Sequence, residues 1–232
     1  MKVLITGAAG GVARILRPHL EAVHACTWLD ILPPSPEGDQ HLVVDVLSQP
    51  EINEAMTGQD AVIQLIMAPL YSDPDLGKQL SVHVHGMATV LEAAVKNRVS
   101  RVIYASSLSV YHQNWEKHFD SEEITPEAVD RYGLTKQLGE QVCRTFAAAH
   151  DWMSIIALRM VRPKPEEKWE VKPESDKVIG TGPKDLGRLY LATLALEGHH
   201  GFDAVHASSD RSGKHLNMSK AKALLGWAPQ GT

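Results

Sequence analysis

Tyr132 and Lys136 stand four residues apart in Tyr132-Gly133-Leu134-Thr135-Lys136, a spacing that sets both side chains one turn apart on one helix face. A free phenol ionises near pH 10, about three units too high for a base at neutrality, so a tyrosine in that role needs cations beside it. Lys136 supplies one. Ser106 and Ser107 close an apolar run, Ser107 lying 25 residues before Tyr132. A hydroxyl there can donate to a substrate carbonyl or alkoxide, the polarising partner of a hydride transfer. Taken alone, a tyrosine and a lysine at helical spacing are equally a solvated pair.

A second constellation opens the chain. Thr6-Gly7-Ala8-Ala9-Gly10-Gly11-Val12-Ala13 follows an apolar run and precedes apolar residues at helical spacing. Gly7 permits a tight turn, Gly10 lets backbone N–H groups approach a pyrophosphate, and small Ala13 lets the helix pack closely on the strand. Such a turn can also be purely structural. Asp30 follows 20 residues after Gly10 at the end of the next apolar run. A carboxylate there hydrogen-bonds both ribose hydroxyls and repels a 2′-phosphate, so the expected cofactor is NAD rather than NADP. Asp30 also suits a strand-end turn.

The elements that would position these groups follow from hydrophobic periodicity. Strands are predicted at 2–6, 25–30, 42–45, 61–66, 101–106, 154–159 and 204–207. Helices are predicted from Val12 to Leu20 and over 52–56, 75–97, 131–150, 185–196 and 218–225. Alternation of this kind implies parallel pairing with right-handed crossovers, hence an α/β, doubly wound parallel sheet of Rossmann type. Pro163 to Pro183 is rich in Lys, Glu and Pro and reads as a loop or lid near the carboxyl edge of the sheet. The chain reads as one domain, with 1–160 a dinucleotide-binding core and 161–232 a reduced substrate cap.

Composition narrows the partners. The 232 residues carry 23 basic and 28 acidic side chains, a net charge of −5, and no basic block. That balance disfavours nucleic acid and anionic membrane. No apolar run approaches the roughly 18 residues of a membrane helix, and the opening MKVLITGAAGG lacks a secretory apolar core, so a cytoplasmic location is expected. Two cysteines, Cys26 and Cys143, make no disulfide framework. Among twelve histidines, His83 and His85 face apart on a helix and His199-His200 are adjacent, so no metal site is expected.

GAAGGVA at Gly7 to Ala13, Asp30, Asp45-Val46, the segment Gly86 to Ala94, RVIYASSLSVY at Arg101 to Tyr111, YGLTK at Tyr132 to Lys136, Leu158-Arg159-Met160 and Leu224 to Pro229 together resemble the extended short-chain dehydrogenase/reductases of the NAD-dependent epimerase/dehydratase group. The resemblance implies Tyr132 as acid/base, Lys136 as its partner and ribose ligand, and Ser107 as donor to the substrate. It implies cofactor contacts from Gly7, Ala9, Gly10, Gly11 and Val12 in the turn, from Asp30 and Ile31, and from Asp45 and Val46 beside the adenine. Leu65, Ile66, Met67, His83, Ala105 and Ser106 complete that set.

The chain also departs from the family. His83 stands where an asparagine is usual, His112 replaces a glycine, and Val161-Arg162-Pro163-Lys164-Pro165 replaces the common segment after the sixth strand. The short cap disfavours a nucleotide-sugar and resembles the uronate dehydrogenases, although Leu108-Ser109 replaces their Asn-His. Leu108, Ser109 and Arg162 join Ser107 as candidate substrate contacts, Arg162 because a guanidinium matches a carboxylate bidentately. The expected function is an NAD-dependent oxidoreductase acting on a sugar or sugar acid. Alternatives are an epimerase or dehydratase that returns the hydride, and an NAD-binding sensor without turnover. A homodimer is expected by resemblance.

Overall fold

The computed structural model describes residues 1–34, 41–68, 75–111, 118–123 and 125–232; His112 lies outside them. Seven strands form one sheet: β1 (Lys2–Thr6), β2 (Ala25–Asp30), β3 (Leu42–Val43), β4 (Ala61–Gln64), β5 (Arg101–Ser107), β6 (Ser154–Met160) and β7 (Gly201–Ala207). Their order is β3-β2-β1-β4-β5-β6-β7, and every neighbouring pair is parallel. The doubly wound parallel sheet expected from the sequence is present.

Period-2 alternation splits the apolar residues between two cores. Val3, Ile5, Ile103, Ile156 and Leu158 face one cluster, which takes in α1 (Gly11–Glu21), α6 (Pro183–Leu194) and α7 (Ser219–Leu225). Leu4, Val62, Val102, Ile155 and Ala157 face the other, with α2 (Gln49–Met56), α4 (Gly86–Asn97) and α5 (Arg131–Ala149). The sheet order reverses between β1 and β4, and a crevice opens there at the carboxyl ends of the strands.

Several helix boundaries differ from expectation; α2, expected over 52–56, begins at Gln49. The single helix expected over 75–97 is α3 (Leu76–Leu80), a π-helical turn (Ser81–His85) and then α4. α6 begins at Pro183 rather than Asp185, because proline fits the first helical turn, where its missing N–H has no partner to lose. Within 161–232, β7 joins the sheet and α6 its covering layer. What lies between Arg162 and Pro183 is anchored to its neighbours. Pro163 bridges Thr181, the Thr181 hydroxyl donates to the Val161 carbonyl at 2.9 Å, and the Trp169 indole donates to the Gly231 carbonyl at 3.2 Å. No helix among the described residues is long and apolar enough to cross a membrane.

Candidate active site

At the crevice, the turn after β1 folds back under the end of β2. Gly7 and Ala8 donate their N–H groups to the Leu29 carbonyl at 2.8 and 3.0 Å. Gly7 has φ +83°, and a Cβ on it would lie 2.9 Å from the backbone nitrogen of Ile66. Only glycine lets the turn lie flat against the strand-end loop after β4. Helix α1 then starts with Gly10 as its N-cap and no side chain capping it, and a Cβ on Gly11 would meet nothing within 4 Å. The first N–H groups and the positive end of the helix dipole are thus left for an anion. Asp30 is fixed by two backbone donors, Ala9 to Oδ2 and Leu32 to Oδ1, both at 3.0 Å. A carboxylate offers about four acceptor positions, so capacity remains for a ligand's hydroxyls.

The opposite wall is built by α5 on β5. Asp130 caps α5 by accepting the Gly133 N–H at 2.7 Å. A Cβ on Gly133 would overlap the carbonyl of Ser109, so glycine here lets the helix start sit against the turn that follows β5. Lys136 is buried and donates from Nζ to the Ala105 carbonyl at 2.7 Å, with Nζ 5.0 Å from the centre of the Tyr104 ring and 5.7 Å from that of Tyr132. Burial pulls its pKa from the ordinary 10.5 down to about 8.

The two adjacent serines have separate fates, because successive strand residues point to opposite sides. Ser106 donates to Glu140 Oε1 at 2.6 Å, and Arg159 holds both oxygens of that carboxylate, from Nε at 2.9 Å and from Nη2 at 2.7 Å. Arg159 also donates from Nη1 to the Glu122 carbonyl at 2.9 Å and to the Tyr111 hydroxyl. Ser107 instead accepts the Ser109 N–H at 3.1 Å, which leaves its own proton available to a ligand.

Both walls line one cleft of about 940 Å³. It brings together the turn residues Gly7, Ala9, Gly10, Gly11 and Val12 with Asp30 and Ile31, and the strand-end residues Leu65, Ile66 and Met67 with Ala105, Ser106, Ser107 and Ser109. Tyr132, Lys136 and Arg162 close it. Four expected contacts are absent from its lining. Val46 is buried against Gly86, where a Cβ would lie 2.9 Å from Val46 Cγ1. Asp45 turns its carboxylate to the Leu47 N–H at 2.9 Å, organising the approach to α2. Leu108 is buried in the core because the strand gives way to a 3₁₀ turn over Leu108–Val110. His83 lies behind the wall with both ring nitrogens hydrogen-bonded. Of the charged stretch 163–182, only Pro163 lines the cleft, since the fastened segment directs its charges elsewhere.

Sequence reasoning missed Gln79, Asp130, Arg131 and Met160 in the lining. The Asp130 side chain could have been found, because an aspartate just before a helical run is an N-cap signature. Among the described residues no three His, Cys, Asp or Glu side chains gather into a possible metal site.

The buried Lys136 makes a stability prediction. Its folded pKa of about 8 lies below the ordinary 10.5, so the unfolded chain binds the extra proton between those pH values and stability rises through that window. Below it the fold carries a penalty of about 3 kcal/mol. Lys136→Met should therefore raise Tm at pH 7 by several degrees and flatten the rise between pH 8 and 10.5, as melting curves across pH would record. A variant melting lower than the parent at pH 7 would refute this.

A model of the NAD dependent epimerase/dehydratase family matches residues 3–179. A uronate dehydrogenase of Pseudomonas syringae is 30% identical over 203 residues, covering 83% of this chain and 69% of that protein. An NAD-dependent glucose-6-phosphate dehydrogenase of Haloferax volcanii is 26% identical over 251 residues, covering 98% and 92%. The crystal structure of a glucuronic acid dehydrogenase from Chromohalobacter salexigens superposes with a TM-score of 0.83 at 21% identity, covering 99% of this chain and 84% of that one, and shares the fold. With its glycine turn, its seven-stranded parallel sheet and a family match over most of its length, the chain belongs to the NAD dependent epimerase/dehydratase family.

Proposed function

We propose that the protein is an NAD-dependent dehydrogenase that oxidises a hydroxyl of a small sugar or sugar acid. The observation that carries this reading is a single cleft running from the Gly7 turn and Asp30 to Ser107, Tyr132 and Lys136. The residues fit NAD: the Gly7 turn has no room for a side chain, the start of α1 bears no side-chain cap, and Asp30 stands at the end of β2. Gly10, Gly11 and Val12 would hold the pyrophosphate and Asp30 the adenosine ribose, while Lys136 would hold the nicotinamide ribose. NAD, when bound, supplies the acceptor for the hydride leaving the substrate carbon.

The chain's own residues handle the proton. Tyr132 removes it from the substrate hydroxyl, and the Lys136 ammonium near its ring stabilises the phenolate. With a pKa of about 8, Lys136 is mostly cationic at pH 7. Ser107 donates its free proton to the same substrate oxygen and orients the carbon. Arg162 stands on the wall after β6 and supplies charge for an anionic group on the sugar. Two relatives support an anionic substrate, since the names uronate and glucose-6-phosphate dehydrogenase denote a carboxylate and a phosphate on a sugar.

Purified protein, NAD and a panel of aldoses, uronic acids and sugar phosphates provide the test, with NADH absorbance as the readout. Accumulating NADH is the expected result. Tight NAD binding with an epimerised sugar and no net NADH would replace this reading by the hydride-returning one, which the family match also accommodates. Arg162 has φ +36°, a backbone that asparagine tolerates, so Arg162→Asn isolates the charge. It should raise KM for the acidic substrate by about 10- to 100-fold, the loss of a charged hydrogen bond, and leave KM for a neutral sugar unchanged. Equal effects on both would remove Arg162 from substrate recognition. The reading includes a homodimer through the outer side of α5, where Leu134 and Leu138 are exposed one turn apart; sedimentation velocity distinguishes it from a monomer.

A further inference from the structure

His83 sits in the π-helical turn between α3 and α4, 3% exposed. Its ring spans the two walls of the cleft from behind. Nε2 lies 2.8 Å from the backbone nitrogen of Ala68, the residue that follows the lining segment Leu65 to Met67. Nδ1 lies 2.7 Å from the hydroxyl of Thr135, and that hydroxyl donates to the Tyr132 carbonyl at 2.8 Å. The ring also meets the Tyr132 ring edge-on, with centroids 6.2 Å apart.

These contacts fix the proton positions. A backbone N–H can only donate, so Nε2 carries the lone pair and Nδ1 carries the hydrogen. The Nδ1–H then donates to Thr135, whose own proton is committed to the Tyr132 carbonyl. Three hydrogen bonds run in one direction from the strand-end loop after β4 to the first turn of α5. A protonated ring would set Nε2–H against the Ala68 N–H and break the chain at its first link.

We propose that His83 is a positioning residue which, as the neutral Nδ1–H tautomer, holds the cofactor-side loop 65–68 and the Tyr132 turn of α5 in fixed register. The proposal rests on the dehydrogenase reading for its consequence on rate, but the tautomer and the linkage stand without it. Among the described residues, the titratable groups that face the ring are Lys136 and Tyr132, both from α5. Burial, and then the Lys136 charge, push the imidazole pKa down to about 3, which keeps the ring neutral over the pH range where the protein would work.

The linkage is dismantled at either end. Thr135→Val keeps the shape but removes the hydroxyl, leaving Nδ1–H without an acceptor, whereas Thr135→Ser keeps the relay. His83→Gln retains an acceptor near the position of Nε2 and loses the arm to Thr135. Long-range proton–nitrogen NMR of the parent, without substrate or NAD, should record one neutral Nδ1–H imidazole for His83 that does not titrate between pH 8 and 5. An Nε2–H tautomer or a titrating ring would overturn the proposal whatever the enzyme's activity. In kinetics, Thr135→Val and His83→Gln should each lower kcat roughly 10- to 100-fold, the scale of a misplacement near 1 Å. NAD affinity, followed by titration, should change less than tenfold, and Thr135→Ser should restore kcat. If kcat in Thr135→Val stays within twofold of the parent, the positioning role is wrong while the dehydrogenase reading survives. If the parent makes no NADH, that reading falls and the NMR result alone decides the linkage.

Discussion

Tyr132→Phe should lower kcat by about 10²–10⁴-fold, the usual contribution of a positioned acid/base, while NAD binding stays within about threefold. The substitution removes one oxygen. Lys136 remains held by the Ala105 carbonyl, and the phenylalanine ring keeps the edge contact with His83 and the face near the Lys136 ammonium. The cofactor side of the cleft is built by Gly7, Ala8, Ala9, Leu29, Asp30 and Leu32, which hold one another through backbone N–H groups. Steady-state kinetics with an NAD titration separate the two quantities. A kcat within tenfold of the parent would show that some other group takes the proton, and a parallel loss of NAD affinity would point to collapse of the wall.

Arg159→Met should destabilise the protein by about 3–5 kcal/mol, the penalty for stranding a buried charge. Arg159 is fully buried and so is Glu140 beside it. Removing the guanidinium strips donors from both Glu140 oxygens, from the Glu122 carbonyl and from the Tyr111 hydroxyl at once. Among the described residues, Ser106 would remain as a donor to Glu140. For a domain of this size the loss corresponds to a Tm lower by on the order of 10 °C. The double variant Arg159→Met/Glu140→Leu should recover much of it, because the stranded carboxylate goes too. Urea melts of the parent, single and double variants measure the difference. A single-variant loss below 1 kcal/mol would mean that water reaches Glu140.

Much of this is legible in the sequence where a single period governs. β1, β5 and β6 announce themselves because alternate residues serve the two cores, and the glycine turn because Gly7 meets a steric demand no other residue meets. Ser107, Tyr132 and Lys136 are legible as spacing, and the fold converts the spacing into convergence. The π-helical turn is not legible. One extra residue in a turn shifts the helical phase by about 100°, and a window tuned to 3.6 residues averages over it. The family resemblance points His83 at the cofactor, whereas in this turn its ring goes to Ala68 and Thr135. Leu108 fails similarly, because a strand period extended past Ser107 misses the 3₁₀ turn that buries it. The charged stretch 163–182 is legible as irregular, but its direction depends on partners far away, such as Gly231 for Trp169.

The division of the cleft between two distant parts of the chain has a consequence for how the protein is made. Synthesis runs from the N-terminus at about 5–20 residues per second, so the turn at Gly7 to Gly11 emerges many seconds ahead of Tyr132 and Arg162. β1, β2 and β4 can pair as soon as they are all out, yet β4 has no partner on its other side until β5 arrives. The nascent chain therefore exposes an open sheet edge of Ala61, Val62 and Ile63, a template for pairing with other chains. Ribosome pausing after Gln64 and before β5 begins at Arg101 would prolong that exposure.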